Sequence, residues 1–145
     1  MTELVLIRVT GADKPGLTSS ISAILTQYGV TILDIGQASI HDTLSLGILA
    51  AIPAKAESGA VLKDVLFRGH ELGLTVSFTP VTPESYDQWV RGQGKPRHII
   101  TLLGRTIEAI DIAKVTAIVA KHGLNIDQIN RLSGRISLQE TEQKT

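Results

Sequence analysis

Residues 3–35 read ELVLIRVTGADKPGLTSSISAILTQYGVTILDI, and the changes of pattern inside that stretch decide the fold. Residues 3–10 are aliphatic and β-branched, the composition of a strand. Residues 11–16 (GADKPG) place two glycines and a proline in six positions, which breaks the strand into a loop. From Leu17 the apolar side chains recur at Ile21, Ile24, Leu25 and Tyr28, the spacing of one helix face. Gly29 stands where a helix-ending glycine belongs, and a second strand is expected over residues 31–41.

Outward from this stretch the alternation continues. A third strand is expected over residues 44–52, joined to the second by Asp42 and Thr43 as a hairpin. Residues 58–72 read as a helix with Val61, Leu62, Val65, Leu66 and Leu72 inward and Gly73 closing it. Residues 74–81 (LTVSFTPV) read as a fourth strand. The order βαββαβ makes an α+β unit, a four-stranded sheet with both helices on one face, over residues 1–82. Residues 83–96 are polar, carry Pro83, Gly92, Gly94 and Pro96, and read as a linker with Tyr86 and Trp89 as docking anchors.

The pattern then restarts. Residues 97–104 (RHIITLLG) read as a strand, residues 111–122 as a helix with Val115, Ile118 and Val119 inward, and residues 124–132 as a further strand. A shift of 94 positions lays Ile21, Ile24 and Leu25 on Val115, Ile118 and Val119, and Gly29 on Gly123. Helix stripe, glycine stop and following strand coincide, so the chain contains an internal repeat. Copy two, residues 97–145, supplies a strand, a helix and a strand, half of what copy one has. Such a half-sheet is expected to belong to a longer protein and to be completed by another chain.

Composition narrows the function. Ile and Leu at 17 each and Val at 10 supply most of an apolar content of 43%, so a core is possible and disorder is not expected. Lys plus Arg and Asp plus Glu both number 14, which argues against a nucleic-acid or anionic-membrane partner. No run approaches the ~20 apolar residues of a membrane span, no secretory signal is visible, and there is no cysteine, so a cytoplasmic location is expected. Aromatics at 3% argue against base-stacking platforms. His41, His70, His98 and His122 lack metal-ligand spacing, and no phosphate loop, dinucleotide fingerprint or nucleophile elbow occurs. Thr18, Ser19 and Ser20 open a helix with no histidine near in sequence to act as base. No catalytic residue is expected here.

The loop at residues 11–17 is the informative feature. Its glycines permit close backbone approach, Pro15 stiffens it, and it leads into a helix N-terminus whose free N–H groups suit a carboxylate. Asp13 could accept from an ammonium group, giving a cradle for a free amino acid. Alternatively Asp13 only caps the helix and the glycines only shape a turn; the residues taken alone favour this capping reading.

A βαββαβ unit with GADKPGL before its first helix and YGVTILDI (residues 28–35) after it resembles the ACT domain, a ligand-binding module of amino-acid metabolism. Copy two, with RHIITLLG and HGLNIDQINRLSG (residues 122–134), is similar to the N-terminal regulatory region of bacterial phosphoserine phosphatases. The resemblance implies a ferredoxin-like antiparallel sheet, a second and partial ACT domain, and sheets that associate edge to edge in a homodimer. It implies a regulatory site for L-serine or glycine at Asp13, Pro15, Gly16 and Leu17. Asp34 and Ile35 would face that site across a domain interface, with Asn125, Ile126 and Asp127 at the facing positions of copy two. The loop at residues 104–108 departs from the D-x-P-G pattern, so equivalent binding there is not expected. The phosphatase signature D-x-D-x-[TV] is absent, so phosphoserine hydrolysis and its Mg²⁺ would belong to a catalytic domain beyond Thr145. The rivals are a stand-alone tandem ACT regulator resembling the glycine-cleavage repressor, and an oligomerisation module that binds nothing.

Overall fold

Alternation governs the first strand, β1 (Glu3–Ala12), which buries Val5, Ile7 and Val9 and turns Leu4, Leu6, Arg8 and Thr10 to the other face. In the computed structural model, which describes residues 2–132, β1 is followed by α1 (Leu17–Gln27), β2 (Thr31–Ile40), β3 (Thr43–Ile52), α2 (Ser58–Glu71) and β4 (Thr75–Val81). The strands form one antiparallel sheet of order β2-β3-β1-β4, the ferredoxin-like arrangement. Central β3 buries Leu44, Leu46, Ile48, Ala50 and Ile52 on the same face as Val5, Ile7 and Val9. Leu17, Ile21 and Leu25 of α1 and Val61 and Val65 of α2 close that core. Leu66, expected inward, is 49% exposed; it belongs to the solvent side of α2. Gly69 lets α2 approach β4, since a Cβ there would lie 2.4 Å from Val76 Cγ2.

Strand β2 is an edge strand without a buried residue, and a bulge at Leu33 interrupts its pairing. Before the bulge Ile32 opposes Ala50 on the core side; after it Ile35, Gln37 and Ser39 take that side, and Asp34 opposes Leu49 on the open face. The hairpin after β2 turns through His41 and Asp42, one residue earlier than expected, with His41 at φ 56°.

Helices α1 and α2 end alike. Gly29 and Gly73 adopt φ 66° and 72°, and Val30 N–H and Leu74 N–H reach back to the Leu25 and Gly69 carbonyls at 3.0 and 2.7 Å. Tyr28, at the end of α1, donates its hydroxyl to the Asp64 carboxylate of α2. That hydrogen bond, then burial, then the charge of Asp64 raise the Tyr28 phenol above its ordinary 10.0. The folded state therefore favours the neutral phenol. This stabilisation is present below pH 10 and is lost as pH rises through the higher folded value. Subtracting the alkaline absorbance titration of Tyr28→Phe from that of the parent chain should isolate a phenolate step above pH 10; a step at or below 10 would contradict the contact.

The segment expected as a linker carries a helix, α3 (Pro83–Gly92). Thr82 caps it by accepting from Ser85 N–H at 3.1 Å, Pro83 occupies the first turn and Glu84 suits the positive end of the dipole. Tyr86 and Trp89 pair with each other, ring centroids 6.0 Å apart, and Trp89 stays 41% exposed rather than serving as a sunken anchor.

The chain divides into two compact units between Pro96 and Arg97. The second contains α4 (Ala109–Lys121). Its end repeats that of α1 at the 94-residue shift: Gly123 has φ 69° and Leu124 N–H reaches the Val119 carbonyl at 3.2 Å. His122 replaces Tyr28, and its Nδ1 meets the Ile118 carbonyl at 2.9 Å. The two strands expected on either side of α4 do not form among the described residues. The reason lies in copy one, where β1 and β2 never touch; each pairs with β3 between them. Copy two as described has the equivalents of β1 and β2 and nothing equivalent to β3.

Candidate functional site

The strand-to-helix loop of copy one is held at both ends by its own backbone. Asp13 N–H donates to the Asp42 carbonyl at 2.7 Å, tying the end of β1 to the β2–β3 turn. Gly16 then takes φ 87°, a conformation that favours glycine, and becomes the N-cap of α1. The first helical bond runs from Ser20 N–H to the Gly16 carbonyl at 2.9 Å. The N–H groups of Leu17, Thr18 and Ser19 precede any intrahelical acceptor, and no side chain caps them. The capping role for Asp13 is thereby corrected. Its carboxylate instead accepts the Ser39 hydroxyl of β2 at 3.0 Å.

These groups border a cleft of about 460 Å³, lined by residues 13–19 with Gln37 of β2 and Leu44 of β3. Asp13, Pro15, Gly16 and Leu17 come together there. Buried Leu17 and Leu44 give it an apolar floor. Asp34 and Ile35 do not line it: Asp34 lies on the opposite face of the sheet, and Ile35 sits two residues further back along the strand. Asn125, Ile126 and Asp127 follow α4 in the second unit, exposed and outside any ladder. Nothing in the sequence singles out Lys14, Gln37 or Ser39 for this site, and Thr18 is weighed there only as a nucleophile. The Thr18 hydroxyl crosses to the Gln37 side-chain carbonyl at 2.5 Å, so β2 meets the loop through Thr18–Gln37 and Asp13–Ser39.

Copy two treats its helix start in the opposite way. Glu108 and Asp111 form a reciprocal capping box on α4, with Glu108 N–H donating to Asp111 at 2.9 Å. Two carboxylates of the chain already occupy the end that in α1 is open to an anion. Among the described residues no three His, Cys, Asp or Glu side chains gather in a way that could hold a metal ion, so the Mg²⁺ implied by resemblance finds no fit there. No helix of the described residues is long and apolar enough to cross a membrane.

Comparison with known proteins places both copies. An ACT-domain family model matches residues 3–79, and a second ACT-domain model matches residues 96–135. Phosphoserine phosphatase SerB2 of Mycobacterium tuberculosis is 38% identical over 130 residues, covering 89% of this chain and 31% of that protein. A phosphoserine phosphatase of Streptomyces coelicolor is 27% identical over 128 residues, covering 88% and 30%. The chain thus spans just under a third of the length of these relatives. Among solved structures, a candidate glycine cleavage system transcriptional repressor superposes with TM-score 0.54 at 22% identity, covering 57% of this chain and 48% of that one. That likeness concerns the fold.

Proposed function

The chain belongs to the ACT-domain family, and from that premise we propose that it is the amino-acid-sensing regulatory region of a phosphoserine phosphatase. The observation that carries the sensing role is the uncapped start of α1 opening onto a cleft with Asp13 at its rim. A ligand carboxylate would take the N–H groups of Leu17, Thr18 and Ser19, where the helix dipole favours negative charge. The ligand ammonium would lie against Asp13, whose second oxygen is steadied by Ser39. Both ends of a free amino acid are met by groups of opposite character within one loop. Copy two, self-capped by Glu108 and Asp111, would not take a second ligand in the same manner, so one ligand per chain is the expected ratio.

The regulated reaction would be the hydrolysis of O-phospho-L-serine to L-serine and phosphate. The reading is supported by alignment of both copies with phosphoserine phosphatases and by a cleft suited to the product of that reaction. A homodimer would pair chains through β2, an unpaired edge on which Ile32, Ile35 and Ile40 are 40, 47 and 79% exposed. Asp34 and Ile35 would then approach the partner's cleft.

Calorimetric titration of the chain with L-serine and with glycine tests the sensing role. Saturable binding at one site per chain is expected; no heat from either would favour the purely structural module. Light scattering at roughly tens of micromolar tests the pairing, since association follows protomer concentration. A monomer at that concentration would remove the homodimer.

A further inference from the structure

Resting on the reading of the cleft as an amino-acid site, we propose that Gln37 is the residue by which this cleft tells an amino acid with an oxygen-bearing side chain from one without. Gln37 stands on the core-side face of β2 opposite Leu46, and it reaches the cleft from the side facing the loop. Its position is a consequence of the bulge at Leu33, which moves Ile35, Gln37 and Ser39 onto the face that α1 borders.

A glutamine amide has one carbonyl acceptor and two N–H donors. The carbonyl oxygen Oε1 of Gln37 already accepts the Thr18 hydroxyl at 2.5 Å. The Gln37 side chain makes no other hydrogen bond among the described residues, so Nε2 is the part of the amide left to a ligand. The cleft therefore has three polar sides of different character: N–H donors at the start of α1, the Asp13 acceptor, and the Gln37 amide donor. The first two suit the carboxylate and the ammonium that every free amino acid carries. The third suits a side-chain oxygen. Leu17 and Leu44, at 4 and 1% exposure, make the floor apolar, and Lys14 and Ser19 are the other polar side chains on the lining. L-Serine engages all three sides, whereas L-alanine sets a methyl against the amide and glycine leaves it to water. The preference is that of one solvent-exposed hydrogen bond: the amide N–H meets the hydroxyl of L-serine, and beside L-alanine or glycine it meets only water.

The test is titration of L-serine, L-alanine and glycine into the whole chain and into Gln37→Glu and Gln37→Leu. Gln37→Glu keeps the size and the acceptor for Thr18 and removes the donors; Gln37→Leu removes both. Gln37 is exposed, so each variant should keep the fold, which far-ultraviolet circular dichroism checks. The parent chain should prefer L-serine to L-alanine by about fivefold, the worth of one net hydrogen bond. Gln37→Leu should bring the ratio to within about twofold of unity, through weaker L-serine binding. Gln37→Glu should shift both ligands through its charge and lower the ratio less, because its free oxygen still accepts the serine hydroxyl. A preference that survives both substitutions, or equal binding of the three ligands by the parent chain, overturns the assignment of Gln37 while leaving the cleft an amino-acid site. Binding of none of the three by the parent chain overturns the site itself.

Discussion

Asp13→Ala should weaken L-serine binding by roughly ten- to a hundredfold while leaving the fold and its unfolding midpoint unchanged. The magnitude follows from what is removed: a charge-assisted contact between carboxylate and ammonium, worth about 1.5–3 kcal/mol when one partner disappears. The unchanged midpoint follows from how the loop is held. The Asp13 backbone N–H, not its side chain, makes the 2.7 Å bond to Asp42 that ends the β1–β3 ladder, and Gly16 makes the start of α1. The side chain contributes only the exposed contact with Ser39. A helix-capping Asp13 would behave in the reverse manner, since losing an N-cap costs about 0.5–2 kcal/mol of stability and leaves ligand affinity alone. Calorimetry and thermal unfolding on the same two samples separate the cases. Asp13→Asn should fall between parent and alanine, because it keeps a hydrogen-bond acceptor and loses the charge.

Much of the first unit was legible in its sequence because each boundary carries a residue with a local physical reason. Gly29, Gly73 and Gly123 end helices with positive φ, and the apolar period changes from two to 3.6 at Leu17. The 94-residue repeat reappears as the same carbonyl pairing at the ends of α1 and α4, so the internal duplication is visible in hydrogen bonds as well as in letters. Helix α3 was hidden by its prolines and glycines, although Thr82-Pro83-Glu84 is a helix start: a hydroxyl cap, a proline in the first turn and an acid at the positive end.

The site was half legible. Its loop could be read directly, because glycine and proline advertise backbone shape. Its other wall could not. Gln37 and Ser39 reach the cleft only through pairing with β3 and the bulge at Leu33, and strand register is a property of two segments together. The balance between capping and ligand binding at Asp13 was likewise beyond the sequence. An aspartate three residues before a glycine N-cap is compatible with both, and the Ser39 hydroxyl, 26 residues away, engages the carboxylate in place of the helix start.

The second unit should behave unlike the first when unfolded. A polypeptide of residues 1–96 should lose its structure in one cooperative transition, and residues 97–145 alone should show no cooperative transition in urea or on heating. The first unit sinks Ile7, Ile21, Ile48, Val61 and Val65 to 0% exposure, each burial worth about 1.5–3 kcal/mol. Among the described residues of the second, none is buried, and Ile99, Leu103 and Leu132 are 93, 88 and 80% exposed. No burial among those described residues offsets an ordering cost of about 1–2 kcal/mol per residue. Hydrogen exchange on the whole chain gives the finer test. Amides of β1 and β3 should be strongly protected, α4 weakly, and residues 97–104 and 124–132 scarcely at all. Slow exchange in those two segments would mean that they have found a ladder. A sheet of order β2-β3-β1-β4 admits them only with a third strand between them, antiparallel to both. A second copy of the chain brings the same two segments again, and its own β3 already lies between β1 and β2 of its first unit. Protection there should therefore require a further segment in the place that β3 holds in the first unit. Adding L-serine should leave those amides as exposed as before, because the proposed cleft draws every lining residue from the first unit.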